Sequence, residues 1–273
     1  MRRSGVFGND ERAVDWCAAI SNQQIEAFQR LFPDYPEERI LLSPNGFNQS
    51  VFQPKVEPGE HKQWRNDALS RFFTTPYEGS DEPVRAIGAD YDVVVAFCGK
   101  FAEWKRLDAL LWAAQEYESC SQHIATIVVG SGPHDDQVHY QDLARQLGLK
   151  DTYFVGPRGQ DELATVFNAA DVACFPSKNE PFGLVFIEAM GCGTPVIGVN
   201  SGGPRDFVTD EVGVLVPEAD DTRRLGRLLA RSVKESIADG WKRHKGPVAA
   251  QYAFDNFSMR TQVENLRAAT IGS

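Results

Sequence analysis

The stretch NEPFGLVFIEAMGCGTPV, residues 179–196, holds two carboxylates, Glu180 and Glu188. Glu188 stands inside an apolar run, where a charge without a partner is expensive. The Gly183 position reads as the entry to a helix over 184–189, with Gly191, Gly193 and Pro195 as stop signals. A helix that starts there presents free N–H groups and the positive end of its dipole, a ready site for phosphate. A glycine at that point lets an anion approach the backbone. Glu188, one turn in, shares a face with Leu184 and tilts toward the helix start. There it can accept both hydroxyls of a ribose, as acids do in nucleotide sites. Glu180, on the loop before the helix, can hold hydroxyls of a further group. The plain alternative is a Glu188 that pairs with a nearby cation or faces solvent.

Three more loops follow strand-like runs. Lys100 and Lys105, in KFAEWKR after YDVVVAFCG, can clamp an anion or be ordinary surface lysines. Gly130-Ser131-Gly132-Pro133 has the start of a dinucleotide fingerprint, but Asp135 stands where the third glycine belongs, so a tight turn is the simpler reading. Gly202 and Gly203 close the strand TPVIGV and permit close backbone approach to a ligand, or form a plain turn.

The elements that must position these loops are legible from Tyr91 onward. Strand-like runs are YDVVVAFCG, HIATIVVG, DTYFVG, DVACFP, TPVIGV and VGVLVP. Helical patterns alternate with them: one from Trp104, one over 135–147, one from Gln160, and one opened by Asp220 and Asp221. Strands that are apolar throughout, alternating with helices, indicate an α/β fold with a parallel sheet covered on both faces. Such sheets bind ligands beyond the carboxyl ends of their strands. Upstream, residues 13–20 read as a strand, Ser21 caps a helix over NQQIEAFQRLF, and RILLS is another strand. Residues 53–90 read as a linker with one short helix near 62–73.

The chain has 273 residues, 42% of them hydrophobic, and a formal net charge of −10. That balance argues against broad contact with nucleic acid or an anionic membrane. Five cysteines without C-x-x-C spacing read as free thiols of a reducing compartment. There is neither a long apolar span nor a signal-peptide pattern, so the cytoplasm is the expected location. P-loop, nucleophile-elbow and H-E-x-x-H motifs are absent, and the histidines lack metal spacing. Asp90-Tyr91-Asp92 mimics a metal-binding D-x-D but precedes its strand, at the wrong end of a parallel sheet.

Taken together, these loops resemble the retaining GT-B glycosyltransferases, glycosyl transferases group 1, which include glycogen and sucrose synthases. EPFGLVFIEAMGCGTPV at 180–196 is similar to the E-x7-E signature of their donor-binding half. DELATVFNAADVACFPS, FCGKFAEWKRLDALL, the Gly-Gly loop and VGVLVP extend the resemblance over residues 12–268, more weakly at FDNFSMR. It implies a Rossmann-like, nucleotide-sugar-binding domain over 91–258, the C-terminal half of a GT-B fold, with a C-terminal helix at 259–273. Residues 1–52 resemble the end of the acceptor-side domain. The partner implied is a UDP-, GDP- or ADP-linked sugar, with a separate acceptor-binding domain. No cofactor beyond that donor and no metal are expected.

Carried over by position, Glu188 would bind the ribose and Glu180 the donor sugar. Backbone amides at Phe182, Gly183, Leu184 and Val185 would cradle sugar and diphosphate, beside Gly202 and Gly203. Lys100 and Lys105 would neutralise the diphosphate. Arg158, in Gly156-Pro157-Arg158, would lie near the base. Three positions depart from the pattern: Lys100 replaces an arginine, Arg106 a glycine and Asp206 a glutamate. The alternatives to a transferase are a nucleotide-sugar-binding module without turnover and a sugar-nucleotide epimerase of the same fold.

Overall fold

Six short strands rich in Val, Ile and Ala form one parallel sheet, buried along nearly its whole length. In chain order they are β3 (Val93–Cys98), β4 (Ile124–Val129), β5 (Thr152–Gly156), β6 (Val172–Phe175), β7 (Val196–Val199) and β8 (Gly213–Val216). Their spatial order is β5-β4-β3-β6-β7-β8. The computed structural model describes residues 16–56, 61–77, 80–88, 90–120 and 122–271. The expected strand over 13–20 begins outside those residues; its described part is β1 (Cys17–Ala19), paired in parallel with β2 (Ile40–Leu42).

Nine helices are described: α1 (Asn22–Leu31), α2 (His61–Leu69), α3 (Leu107–Glu118), α4 (His134–Gln146), α5 (Gln160–Ala169), α6 (Leu184–Gly191), α7 (Thr222–Ala238), α8 (Trp241–Phe257) and α9 (Met259–Ile271). Two layers cover the sheet. One is α3 with α4 and α7; the other is α2, α5, α6 and α8. Local chemistry sets several helix starts. The Ser21 hydroxyl accepts from the Gln24 N–H, and the Asp221 carboxylate accepts from the Arg224 N–H at 2.6 Å.

Two expectations need correction. The helix expected from Trp104 begins at Leu107, because Arg106 adopts a left-handed backbone with φ 52° that ends a 3-10 turn over Glu103–Lys105. A long helix, α8, fills 241–257 where the sequence pattern gave none. In the 53–90 stretch, α2 is tied to the sheet by Arg65, whose guanidinium meets Asp171 at 2.6 Å and donates to the Tyr91 carbonyl. Asp90 and Asp92 lie at the amino end of β3 and pair with Lys62.

The strand order places the site. β3 is followed by β4 on one side, whereas β6 is followed by β7 on the other. Between their carboxyl ends the two following loops diverge and leave a crevice, the usual ligand position in such a sheet. The loops there are 99–106 and 176–183, the two that carry Lys105 and Glu180.

Candidate functional site

The loop after β3 is pinned on both flanks. The Phe101 N–H donates to the Ser131 carbonyl, and the Trp104 carbonyl accepts from the Lys178 N–H at 2.8 Å. The first contact explains the G-x-G motif. A Cβ on Gly130 would stand 1.9 Å from the Gly99 carbonyl oxygen, and one on Gly132 would stand 2.6 Å from that of Phe101. These glycines let two loops lie against each other.

Lys105 is buried, 8% exposed, and its Nζ lies 2.6 Å from Oε2 of Glu180, itself 9% exposed. The same ammonium sits 4.3 Å from the centre of the Trp104 ring. A buried ion pair with additional contacts holds its geometry, and loss of one partner strands a charge. Lys100, five residues earlier, is exposed and has no hydrogen-bond or ion-pair partner among the described residues. The structure thus separates the two lysines: one is fixed, the other is free to move.

The Glu180 loop is held by backbone contacts. Asn179 takes a left-handed φ of 53°, and its N–H donates to the Ser201 hydroxyl, which in turn donates to the Asn179 side-chain carbonyl. The Gly203 N–H donates to the Glu180 carbonyl at 2.7 Å. Gly202 has φ 75° and ψ −156°, a region almost restricted to glycine, and a Cβ there would lie 2.3 Å from the Glu180 carbonyl oxygen. The close approach permitted by Gly202 and Gly203 is therefore made by the chain's own Glu180–Phe182 segment.

Helix α6 starts at Gly183, with φ 103°. Its entry is anchored by an aromatic cluster: the Phe182 ring is 5.4 Å from Phe207, which is 5.3 Å from Phe257, and Phe186 packs on Phe175 at 4.7 Å. The N–H groups of Phe182, Gly183, Leu184 and Val185 engage no acceptor among the described residues. Four free donors at a helix start suit an anion. Glu188 lies one turn further on. Its carboxylate makes no hydrogen bond or ion pair among the described residues, and burial pushes it up to about 7. Its charge also helps to raise the thiol of Cys98, at the end of β3, to about 12, behind burial itself. Glu188 is therefore close to the crevice at the β3 terminus.

Arg158 stands apart from this group, beyond β5 at the sheet edge. It pairs with Glu162 at 3.3 Å and lies 5.5 Å from the Phe72 ring centre. Sequence reasoning missed two neighbours: Trp104, which carries the Lys105 ammonium, and Ser201, which locks Asn179. A lone exposed tryptophan gives no signal, whereas an Asn before a Glu-Pro turn could have suggested a left-handed residue. Asp206, the departure from glutamate, accepts the Asn22 N–H at 2.8 Å and so joins the start of α1 to the Gly-Gly loop. Arg106 shows why a glycine belongs at its position: the backbone is left-handed there. Among the described residues no cluster of His, Cys, Asp and Glu could hold a metal ion, and no helix is long and apolar enough to cross a membrane.

A doubly wound parallel sheet with a lysine loop and a glutamate loop at its switch point is an architecture that takes ligands beyond its strand ends. The family model for glycosyl transferases group 1 matches residues 85–245, and the chain belongs to that family. A D-inositol 3-phosphate glycosyltransferase of Saccharomonospora viridis is 31% identical over 259 residues, 89% of this chain and 54% of that protein. A protein of the same name from Stackebrandtia nassauensis is 38% identical over 232 residues, 80% of this chain and 46% of that one. The chain spans about half the length of the curated relatives it matches. Among solved structures, Anabaena HepE in complex with UDP and glucose superposes with a TM-score of 0.71 at 23% identity, over 96% of this chain and 64% of that one. Sucrose-phosphate synthase from Thermosynechococcus elongatus gives 0.71 at 27% identity, over 99% and 63%. The fold is that of the GT-B glycosyltransferases, with a parallel sheet and helices on both sides.

Proposed function

We propose that this chain is the donor-binding part of a retaining glycosyltransferase, which moves a sugar from a nucleoside-diphosphate sugar to an acceptor hydroxyl. The carrying observation is the run of four unengaged N–H groups at the start of α6, set between the Lys105–Glu180 pair and the unpartnered Glu188. In this reading Glu188 accepts the ribose hydroxyls. The amides of Phe182 to Val185 and the ammonium groups of Lys100 and Lys105 hold the diphosphate. As the bond from the anomeric carbon to the phosphate oxygen breaks, charge grows on the diphosphate, and preorganised donors stabilise that charge most. Loss of one such donor costs on the order of 2–4 kcal/mol in the barrier. Glu180 orients Lys105 and faces the sugar. Retention of anomeric configuration follows from the E-x7-E resemblance.

HepE is seen with UDP and glucose, so UDP-glucose is the donor to try first. The relatives are named for an inositol phosphate, which makes a hydroxylated ring the first acceptor class. The second reading is a nucleotide-sugar-binding module without turnover, which the same free amides and the unpartnered Glu188 would serve equally. Calorimetry with UDP, GDP and ADP, beside an assay for sugar release from the matching donor, separates the two. Binding with release supports the transferase; binding without release supports the module. Absence of binding by all three nucleotides contradicts both.

A further inference from the structure

A cavity of about 640 Å³ opens beside the Glu180 loop, between that loop, the Trp104 turn and the start of α7. That volume is within the range of small-molecule sites, roughly 300–1,000 Å³. It adjoins the reacting centre through the chain itself. Trp104 precedes Lys105, and Asn179 and Pro181, which also line it, flank Glu180.

The chemistry of its wall is specific. Trp104 is 43% exposed, with one part of its indole held by the Lys105 ammonium. Three carboxylates, Glu103, Asp108 and Asp220, line the same space. Arg106 lines it too and is 8% exposed. Its Nη2 donates weakly to the Asp220 carbonyl at 3.4 Å, while its buried Nη1 has no hydrogen-bond partner among the described residues. A buried guanidinium donor without an acceptor calls for an explanation, and a bound acceptor group supplies one.

An aromatic surface ringed by carboxylates, an amide and a guanidinium matches one ligand chemistry. A pyranose or cyclitol has an apolar C–H face for the indole and rim hydroxyls that both donate and accept. A phosphate matches poorly. The three carboxylates outnumber Arg106 and Lys178, and Lys178 is already paired with Glu218 and Asp220.

We propose that this cavity is a carbohydrate subsite, taking an uncharged hydroxylated ring against Trp104, with Arg106 as hydrogen-bond donor to it. That the ring belongs to the acceptor, beside the donor sugar at Glu180, rests on the function proposed above. Binding of the ring does not.

Saturation-transfer NMR on the full chain, with methyl α-D-glucopyranoside, maltose and myo-inositol as probes, tests this. At least one probe is expected to receive saturation, and Trp104→Ala is expected to weaken its binding at least tenfold. If Trp104→Ala fails to fold by circular dichroism, Asp220→Ala, whose side chain is 93% exposed, carries the same expectation. No transfer to any of the three probes, or binding that survives in the folded variants, overturns the subsite. UDP titrated into the same wild-type sample keeps the two readings distinct. UDP binding without probe binding removes the subsite alone. Probe binding without UDP binding upholds the subsite and removes the donor reading.

Discussion

The loop that carries Glu180 and the helix that carries Glu188 meet at Gly183, yet they treat their carboxylates in opposite ways. Glu180 is nearly buried and answered by Lys105 at 2.6 Å, with its backbone carbonyl held by the Gly203 N–H. Glu188 is mostly buried and answered by nothing among the described residues, so its proton is held up to about 7. The first arrangement is a brace that fixes a cation at the switch point. The second keeps an acceptor uncommitted, at a cost to the empty protein, which is the arrangement expected of a group that meets a ligand.

The brace predicts the largest effect. Lys105→Ala strands a buried carboxylate and should lower stability by about 3–5 kcal/mol, read by urea denaturation. Adding Glu180→Leu should restore much of that loss, because removing both charges leaves none unpaired. If the single variant is as stable as wild type, the brace is not structural.

Gly202→Ala probes the same brace from below. Its φ of 75° and the 2.3 Å approach to the Glu180 carbonyl leave no room for a methyl. A loss of about 3 kcal/mol is expected. A melting temperature unchanged from wild type would show that the Gly-Gly turn does not carry the Glu180 loop.

Glu188 should behave in the opposite sense. Its folded pKa stands above the ordinary value of 4.5, so the native state binds the extra proton and stability falls as pH rises from about 4.5 through about 7. Glu188→Gln should therefore gain about 3 kcal/mol at pH 8 and under about 1 kcal/mol at pH 5. A gain of equal size at both pH values would mean that the carboxylate is not the source.

Lys100 should give the smallest change. It is exposed and unpaired among the described residues, so Lys100→Ala should alter stability by less than about 0.5 kcal/mol. A larger loss would show that the lysine is part of the brace after all.

The sheet was largely readable because fully buried parallel strands are apolar runs, and β3 to β8 each fall within one. The start of α6 was readable for similarly local reasons, a glycine before an apolar turn. The rest depended on what individual residues do in space. α8 holds Gly246 and Pro247 in its interior, so its sequence signals a break, while packing against α6 keeps the helix. The start of α3 was displaced by the left-handed Arg106, a conformation that its residue type does not announce. The partner of Lys105 is 75 positions away, and spacing alone could not name it. Gly202 and Gly203 were read as room for a ligand or as a plain turn, and a Cβ on either would meet the chain's own Glu180–Phe182 backbone.

If Glu188 and the free amides of α6 form a nucleotide site, UDP is held through both. Calorimetric titration of UDP into wild type and Glu188→Gln, at pH 8 where the carboxylate is charged, tests it most directly. Measurable binding to wild type and at least tenfold weaker binding to the variant are expected. Equal affinity in the two proteins would contradict it.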